Sequence, residues 1–267
     1  MSTPSSSAIE YSLFDRVKLS FPIFYPRRDA SVAPPGAADY RIEAAPAVAL
    51  AARYYRAAGA SGTVLYFHGN GEVVGDHDEI APFYHEIGLD LFVVDYRGYG
   101  QSQGRPTFAS LIDDAHPVAR FFHSTVDAEG AKGARFVMGR SLGAQPALEI
   151  ATRCSEGFRG LILESGATSL HRVLARFAEV IAPSITGEVV AAHNAKIAGN
   201  RLPTLMLHGE RDDLIPLVHA TDTVELMTEA EPKLVVIAGA GHNDILVRDP
   251  AKYFGAIREF VGRWGLP

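Results

Sequence analysis

The chain has 267 residues, enough for one α/β domain with a large buried core. A formal net charge of −6, with 47% hydrophobic and 21% charged residues, argues against nucleic acid or an anionic membrane surface as the main partner. Its single cysteine, Cys154, allows no internal disulfide, so nothing here depends on an oxidising compartment.

Residues Met1–Ser7 are Ser-rich and lack a basic segment followed by an apolar stretch. No window approaches an uncharged membrane span, so a cytoplasmic protein is expected. Up to residue 60, short alternating segments interrupted by Pro22, Pro26, Pro34, Pro35 and Pro46 predict an antiparallel hairpin. Its strands are expected at Tyr40–Glu43 and Leu50–Arg56.

From there a rhythm sets in. The apolar runs Thr63–Phe67, Leu91–Val94, Phe136–Met138, Leu161–Leu163, Thr204–Leu207 and Leu234–Ile237 each lead into Gly, Asp or His and then a helical stretch. Runs apolar at every position suit strands buried on both faces. Their alternation with helices predicts a single α/β domain over residues 1–267, a doubly wound, mostly parallel sheet with helices on both faces. Chemistry is then expected at the carboxyl ends of the strands.

Between Ser165 and Leu202 two helical stretches replace one. Leu170, Val173, Leu174, Phe177, Val180 and Ile181 are spaced as an amphipathic helix that ends before Pro183, and a second apolar stretch follows at Ile185–Ile197. The segment 165–202 reads as a small helical cap over the site, with extra packing at the sheet edge as the plain alternative. Cys154 falls among apolar helix positions and is expected to be packed inside.

The most informative residues are Gly139-Arg140-Ser141-Leu142-Gly143, a G-x-S-x-G pattern between the short strand at Arg135–Met138 and a helical run through Leu142, Ala144, Ala147, Leu148, Ile150 and Ala151. This pattern raises a serine on a sharp strand-to-helix turn. A serine hydroxyl needs a base to take its proton, and the base needs an orienting group. Two later segments offer them. One is Leu205-Met206-Leu207-His208-Gly209-Glu210-Arg211-Asp212-Asp213, the other Ile237-Ala238-Gly239-Ala240-Gly241-His242-Asn243.

The chain resembles the α/β-hydrolase superfamily, in its small esterase and serine-aminopeptidase-like branch. His68-Gly69-Asn70-Gly71 is similar to that family's oxyanion loop, and Asp95-Tyr96-Arg97-Gly98-Tyr99-Gly100-Gln101-Ser102 to its next strand-to-helix loop. Gly139–Gly143 matches the nucleophile elbow, His208-Gly209-x-x-Asp212-x-x-Ile215-Pro216 the acid loop, and Gly241-His242 the base loop. The likeness runs from about residue 40 to about residue 265. It implies Ser141 as nucleophile, His242 as general base and then acid, and Asp212 as the carboxylate that holds the imidazole. Asp213 and Glu164 are the competing acids. The backbone N–H groups of Asn70 and Leu142 would form the oxyanion hole, the latter at a helix start where the dipole helps.

Other polar residues carry plainer expectations. His68 and His208 read as loop-fixing groups, and His77 and His85 as surface histidines whose spacing matches no zinc site. Asp95 with Arg97 reads as a loop anchor, and Arg140 as a contact to substrate or to an acid. The glycines of residues 69–75 form no nucleotide-binding fingerprint. The expected activity is cofactor-free and metal-free hydrolysis of a small to medium carboxylic ester, a small-molecule acyl substrate. The alternatives are a thioester or small-peptide substrate with the same triad, perhydrolysis, or a non-catalytic binding protein on the same fold.

Overall fold

The computed structural model describes residues 11–15, 23–166 and 187–265. After the short helix α1 (Ser12–Asp15), a hairpin of β1 (Ala37–Ala45) and β2 (Val48–Tyr55) opens the sheet. Pro46 fixes its own φ and Ala47 takes the left-handed region (φ 58°), so two residues close the turn. Then follow β3 (Gly62–Phe67), α2 (Ala81–Glu86), β4 (Leu89–Val94), α3 (Phe108–Asp113), α4 (Ala115–Ala128) and β5 (Ala134–Arg140). The second half holds α5 (Ala144–Arg153), β6 (Phe158–Glu164), α6 (Gly187–Ala198), β7 (Thr204–Gly209), α7 (Val218–Leu226), β8 (Pro232–Ile237), α8 (Ile245–Arg248) and α9 (Pro250–Trp264).

The eight strands form one sheet in the order β1-β2-β4-β3-β5-β6-β7-β8. β2 runs antiparallel to both β1 and β4, and every pair from β4 to β8 is parallel. This is the doubly wound sheet expected from the apolar runs. Side chains alternate along each strand, so two cores form. Leu65, Phe67, Phe92, Val137, Leu161, Leu163 and Met206 face α4 and α5 through Val118, Phe122, Ala147 and Leu148. Val64, Tyr66, Leu91, Phe136, Met138, Ile162 and Leu205 face α2 and α9 through Tyr84, Tyr253, Phe254, Ile257 and Phe260. Each Val, Leu, Ile, Phe or Met side chain among them contributes about 1.5–3 kcal/mol on full burial.

The helices start where local chemistry lets them. Thr107 caps α3, its hydroxyl accepting the Ser110 N–H at 3.0 Å. Asp249 caps α9 by accepting the Lys252 N–H at 3.0 Å, and Pro250 occupies the first helical position, where no N–H is needed. The strands run further than their apolar cores suggested: β5 extends to Arg140 and β6 to Glu164, because polar ends at the carboxyl edge find ionic partners there.

Three expectations need correction or restriction. The amphipathic stretch Leu170–Ile181 of the expected cap lies outside the described residues; within 165–202, α6 is described, with Ile197 fully buried. Cys154 is half-buried rather than inside, because α5 ends at Arg153 and leaves it at the helix terminus, where its Sγ lies 2.9 Å from His116 Nδ1. His77 is buried, not on the surface: its ring packs edge-on at 4.9 Å from Tyr66 and Nδ1 lies 3.2 Å from the Val73 carbonyl. His85 is half-buried.

Candidate active site

The nucleophile candidate sits where β5 gives way to a 3₁₀ turn, Ser141–Gly143, and then α5. Ser141 has φ 50°, a left-handed conformation that is costly for a side-chain-bearing residue. The flanking glycines answer a packing demand. A Cβ on Gly139 would strike the Gly143 carbonyl, and one on Gly143 would strike the carbonyls of Phe67 and His68. The elbow therefore packs against the chain just after β3, and Gly69-Asn70 follow directly.

The acid loop leaves β7. Asp212 is 4% exposed; its Oδ1 accepts the Ile215 N–H at 2.7 Å and its Oδ2 lies 2.8 Å from His242 Nδ1. Burial alone would raise the Asp212 pKa. The hydrogen bonds from His242 and the Ile215 backbone outweigh it and hold the carboxyl below the usual range, so it is a carboxylate at neutral pH. A carboxylate only accepts, so His242 Nδ1 carries the proton in this bond. The opposite nitrogen, Nε2, lies 3.0 Å from Ser141 Oγ, and in a neutral imidazole it is the acceptor. His242 itself sits in the loop after β8, with the adjacent turn pinned by Arg211 N–H to the Ala240 carbonyl at 2.8 Å.

The two other acids go elsewhere. Asp213 is exposed. Glu164 is buried at the end of β6, where Oε1 lies 3.2 Å from Arg140 Nε and Oε2 accepts from the Tyr253 hydroxyl at 2.6 Å. It serves neither His242 nor, among the described residues, the expected cap. Burial raises its pKa, with Arg140 and Tyr253 pulling the other way.

The expected loop-fixing groups behave as such. His208 Nε2 donates to the Ile215 carbonyl at 2.8 Å and lies 3.5 Å from Asp212 Oδ2, bracing the acid loop. His68 Nδ1 donates to the Gly69 carbonyl at 2.8 Å, and its Nε2 is 3.3 Å from Asp95 Oδ1. Asp95 also takes the Val74 N–H at 2.9 Å, while Arg97 forks onto Asp114 at 2.8 and 2.6 Å and not onto Asp95.

Sequence reasoning missed a set of partners around Asn70. Its side-chain oxygen accepts from Tyr25 N–H at 3.0 Å and the Tyr99 hydroxyl at 2.6 Å, and its Nδ2 donates to the Ile23 carbonyl at 2.7 Å. A strap of residues 23–28 ahead of the sheet thus holds the loop whose backbone N–H was expected to face the oxyanion. The strap is itself tied down by Arg27 to the Gly71 carbonyl at 3.2 Å and by Arg28 to the Ser102 carbonyl at 2.9 Å. Glu72 was missed too. It accepts the Gly69 N–H at 2.8 Å and pairs with Arg140. An acid three residues after a loop glycine is the local signal that could have found it.

Among the described residues, no helix is long and apolar enough to cross a membrane. An uncharacterized protein of Mycobacterium tuberculosis is 33% identical over 254 residues, covering 90% of this chain and 85% of its own. Protein bem46 of Schizosaccharomyces pombe is 28% identical over 203 residues, covering 74% of this chain and 67% of its own. The esterase Pf2001 of Pyrococcus furiosus superposes with a TM-score of 0.72 at 18% identity, over 90% of this chain and 99% of that one. A monoacylglycerol lipase of Paleococcus ferrophilus does so at 0.58 and 16% identity, over 79% and 97%. The family model for serine aminopeptidase S33 matches residues 58–193. With that match, and with the sheet and the loops at its carboxyl edge in place, the chain belongs to the serine aminopeptidase S33 family of the α/β-hydrolase superfamily.

Proposed function

We propose that the protein is a serine hydrolase that cleaves small to medium carboxylic esters through an acyl-enzyme. The relay from Asp212 through His242 to Ser141, with contacts of 2.8 and 3.0 Å, is the observation that carries this reading. Ser141 Oγ attacks the ester carbonyl while His242 Nε2 takes its proton. The C–O bond to the leaving alcohol then breaks as His242 returns that proton to the alkoxide. A water, deprotonated by the same nitrogen, attacks the acyl-enzyme and releases the acid and free Ser141. Asp212 stays ionised throughout and stabilises the imidazolium. The Asn70 and Leu142 N–H groups act on the tetrahedral oxyanion, each such donor lowering the barrier by about 2.7–4 kcal/mol.

The structural likeness to an esterase and a monoacylglycerol lipase favours an ester, whereas the family match to serine aminopeptidases favours an amide. A fluorophosphonate probe tests the nucleophile: it should label wild type and leave Ser141→Ala unlabelled. An unlabelled wild type would instead favour a binding protein. A nitrophenyl ester series, an acyl-thioester series and an aminoacyl amide then rank the substrates. Turnover of the amide without turnover of either ester series would sink the esterase reading and favour the peptidase.

A further inference from the structure

Loops from three strand ends meet at the Arg140 guanidinium, which is 12% exposed although it stands next to Ser141. Nη1 pairs with Glu72 in the loop after β3, and Nε lies 3.2 Å from Glu164 Oε1 at the end of β6. Nη2 donates to the carbonyl of His242 at 3.2 Å and to Asn243 Oδ1 at 2.9 Å, both in the loop after β8. Burial would lower the pKa of Arg140, but Glu164 and Glu72 beside it raise it instead, so the group is a fixed cation.

Glu72 passes this hold onward. Its second oxygen takes the Gly69 N–H at 2.8 Å, one peptide before the Asn70 N–H. A Cβ on Gly69 would strike the ends of both the Arg140 and the Glu72 side chains, so any side chain there would push the pair apart. At the other end, the His242 carbonyl belongs to the same residue whose ring meets Ser141. A planar fork with donors on three sides can hold both loops in one frame; a lysine ammonium, a single point on a flexible stem, cannot span them.

We propose that Arg140 is a positioning residue of the hydrolytic site, holding the oxyanion loop through Glu72 and the base loop through the His242 carbonyl in fixed relation to Ser141. This role rests on the serine hydrolase reading above. It acts on the transition state, because the alignment of an N–H and an imidazole matters most when the oxyanion and imidazolium form.

The test compares wild type, Arg140→Lys and Glu72→Gln, each with its thermal midpoint recorded. Turnover of a nitrophenyl ester should fall about 10- to 100-fold in both variants, the size expected for a misplacement near 1 Å, with KM changed by no more than a few fold. Affinity for an alkylboronic acid, which forms a tetrahedral adduct on the serine, should fall in parallel with kcat/KM. Folded Arg140→Lys with turnover and boronate affinity within about twofold of wild type would make Arg140 a buried counter-charge only. Should Arg140→Lys fail to fold, Glu72→Gln decides by the same criterion, since Glu72 is a quarter exposed. A wild type that neither labels with fluorophosphonate nor turns over ester, thioester or amide overturns the hydrolase reading and the positioning role together. A working wild type with unaffected variants overturns the positioning role alone.

Discussion

Asp212 and Asp213 are chain neighbours that the acid loop sends to opposite environments: the first is 4% exposed and reaches His242, the second faces solvent. Asp212→Asn should therefore reduce turnover by about 10⁴-fold, because an amide can hold the imidazole in the wrong tautomer. Asp213→Asn should leave it near wild type. Steady-state kinetics on one nitrophenyl ester decides the matter, and the reverse ranking would move the acid by one position.

The Asn70 side chain spends three hydrogen bonds on the strap and on Tyr99. Asn70→Ala keeps the backbone N–H but frees its peptide to rotate. Turnover should fall about 10- to 100-fold with a smaller change in KM. Equal loss in both parameters would place Asn70 in substrate binding instead.

Acid should weaken the fold in two stages. Burial lowers the pKa of His77, with His68 adding to the effect against Glu72; burial likewise lowers that of His208. The folded state then binds fewer protons than the unfolded one below the free histidine value of about 6.5, so stability is complete above that pH and declines as pH falls from it. Asp212 and Glu72 are shifted down, so what they contribute is present above the free carboxylate range near 4 and is lost as pH drops through their lower folded values. Thermal midpoints between about pH 7.5 and pH 5.5 should fall for wild type and fall less for His77→Phe, which cannot titrate. A midpoint flat across that interval would contradict the assignment.

Gly143→Ala should be damaging out of proportion to one methyl group, because its Cβ would meet the carbonyls of Phe67 and His68. Backbone carbonyls cannot swing aside as a side chain can, so the elbow itself must move. Overpacking of this kind costs typically about 1–3 kcal/mol, and the displaced serine should also label more slowly with fluorophosphonate. Calorimetry and labelling rates read the two effects separately.

What the sequence disclosed, and what it hid, follows from range. Leu91–Val94 and Leu161–Leu163 were readable as strands because both faces of a central parallel strand are buried, leaving unbroken apolar runs. Ser141, Asp212 and His242 were readable as candidates because each lies in a loop with its own local pattern at a strand end. Arg140 and Glu72 are 68 positions apart, and an ion pair over that distance leaves no local pattern. The strap works through the Tyr25 N–H and the Ile23 carbonyl, groups that every residue type carries. His77 was misjudged because the burial of an imidazole depends on tertiary neighbours such as Tyr66.

Residues 23–28 lie ahead of the first strand and outside residues 58–193, the stretch that the family model matches. Anyone trimming a gene to its recognisable fold would cut at residue 37 and discard them. The trimmed product would lose the peptide that grips Asn70 and, with it, Ser31, whose carbonyl takes the buried Arg53 Nη2 at 2.9 Å. On the proposed reading of the Asn70 loop, such a fragment should turn over a nitrophenyl ester poorly, and adding back the upstream codons should restore it.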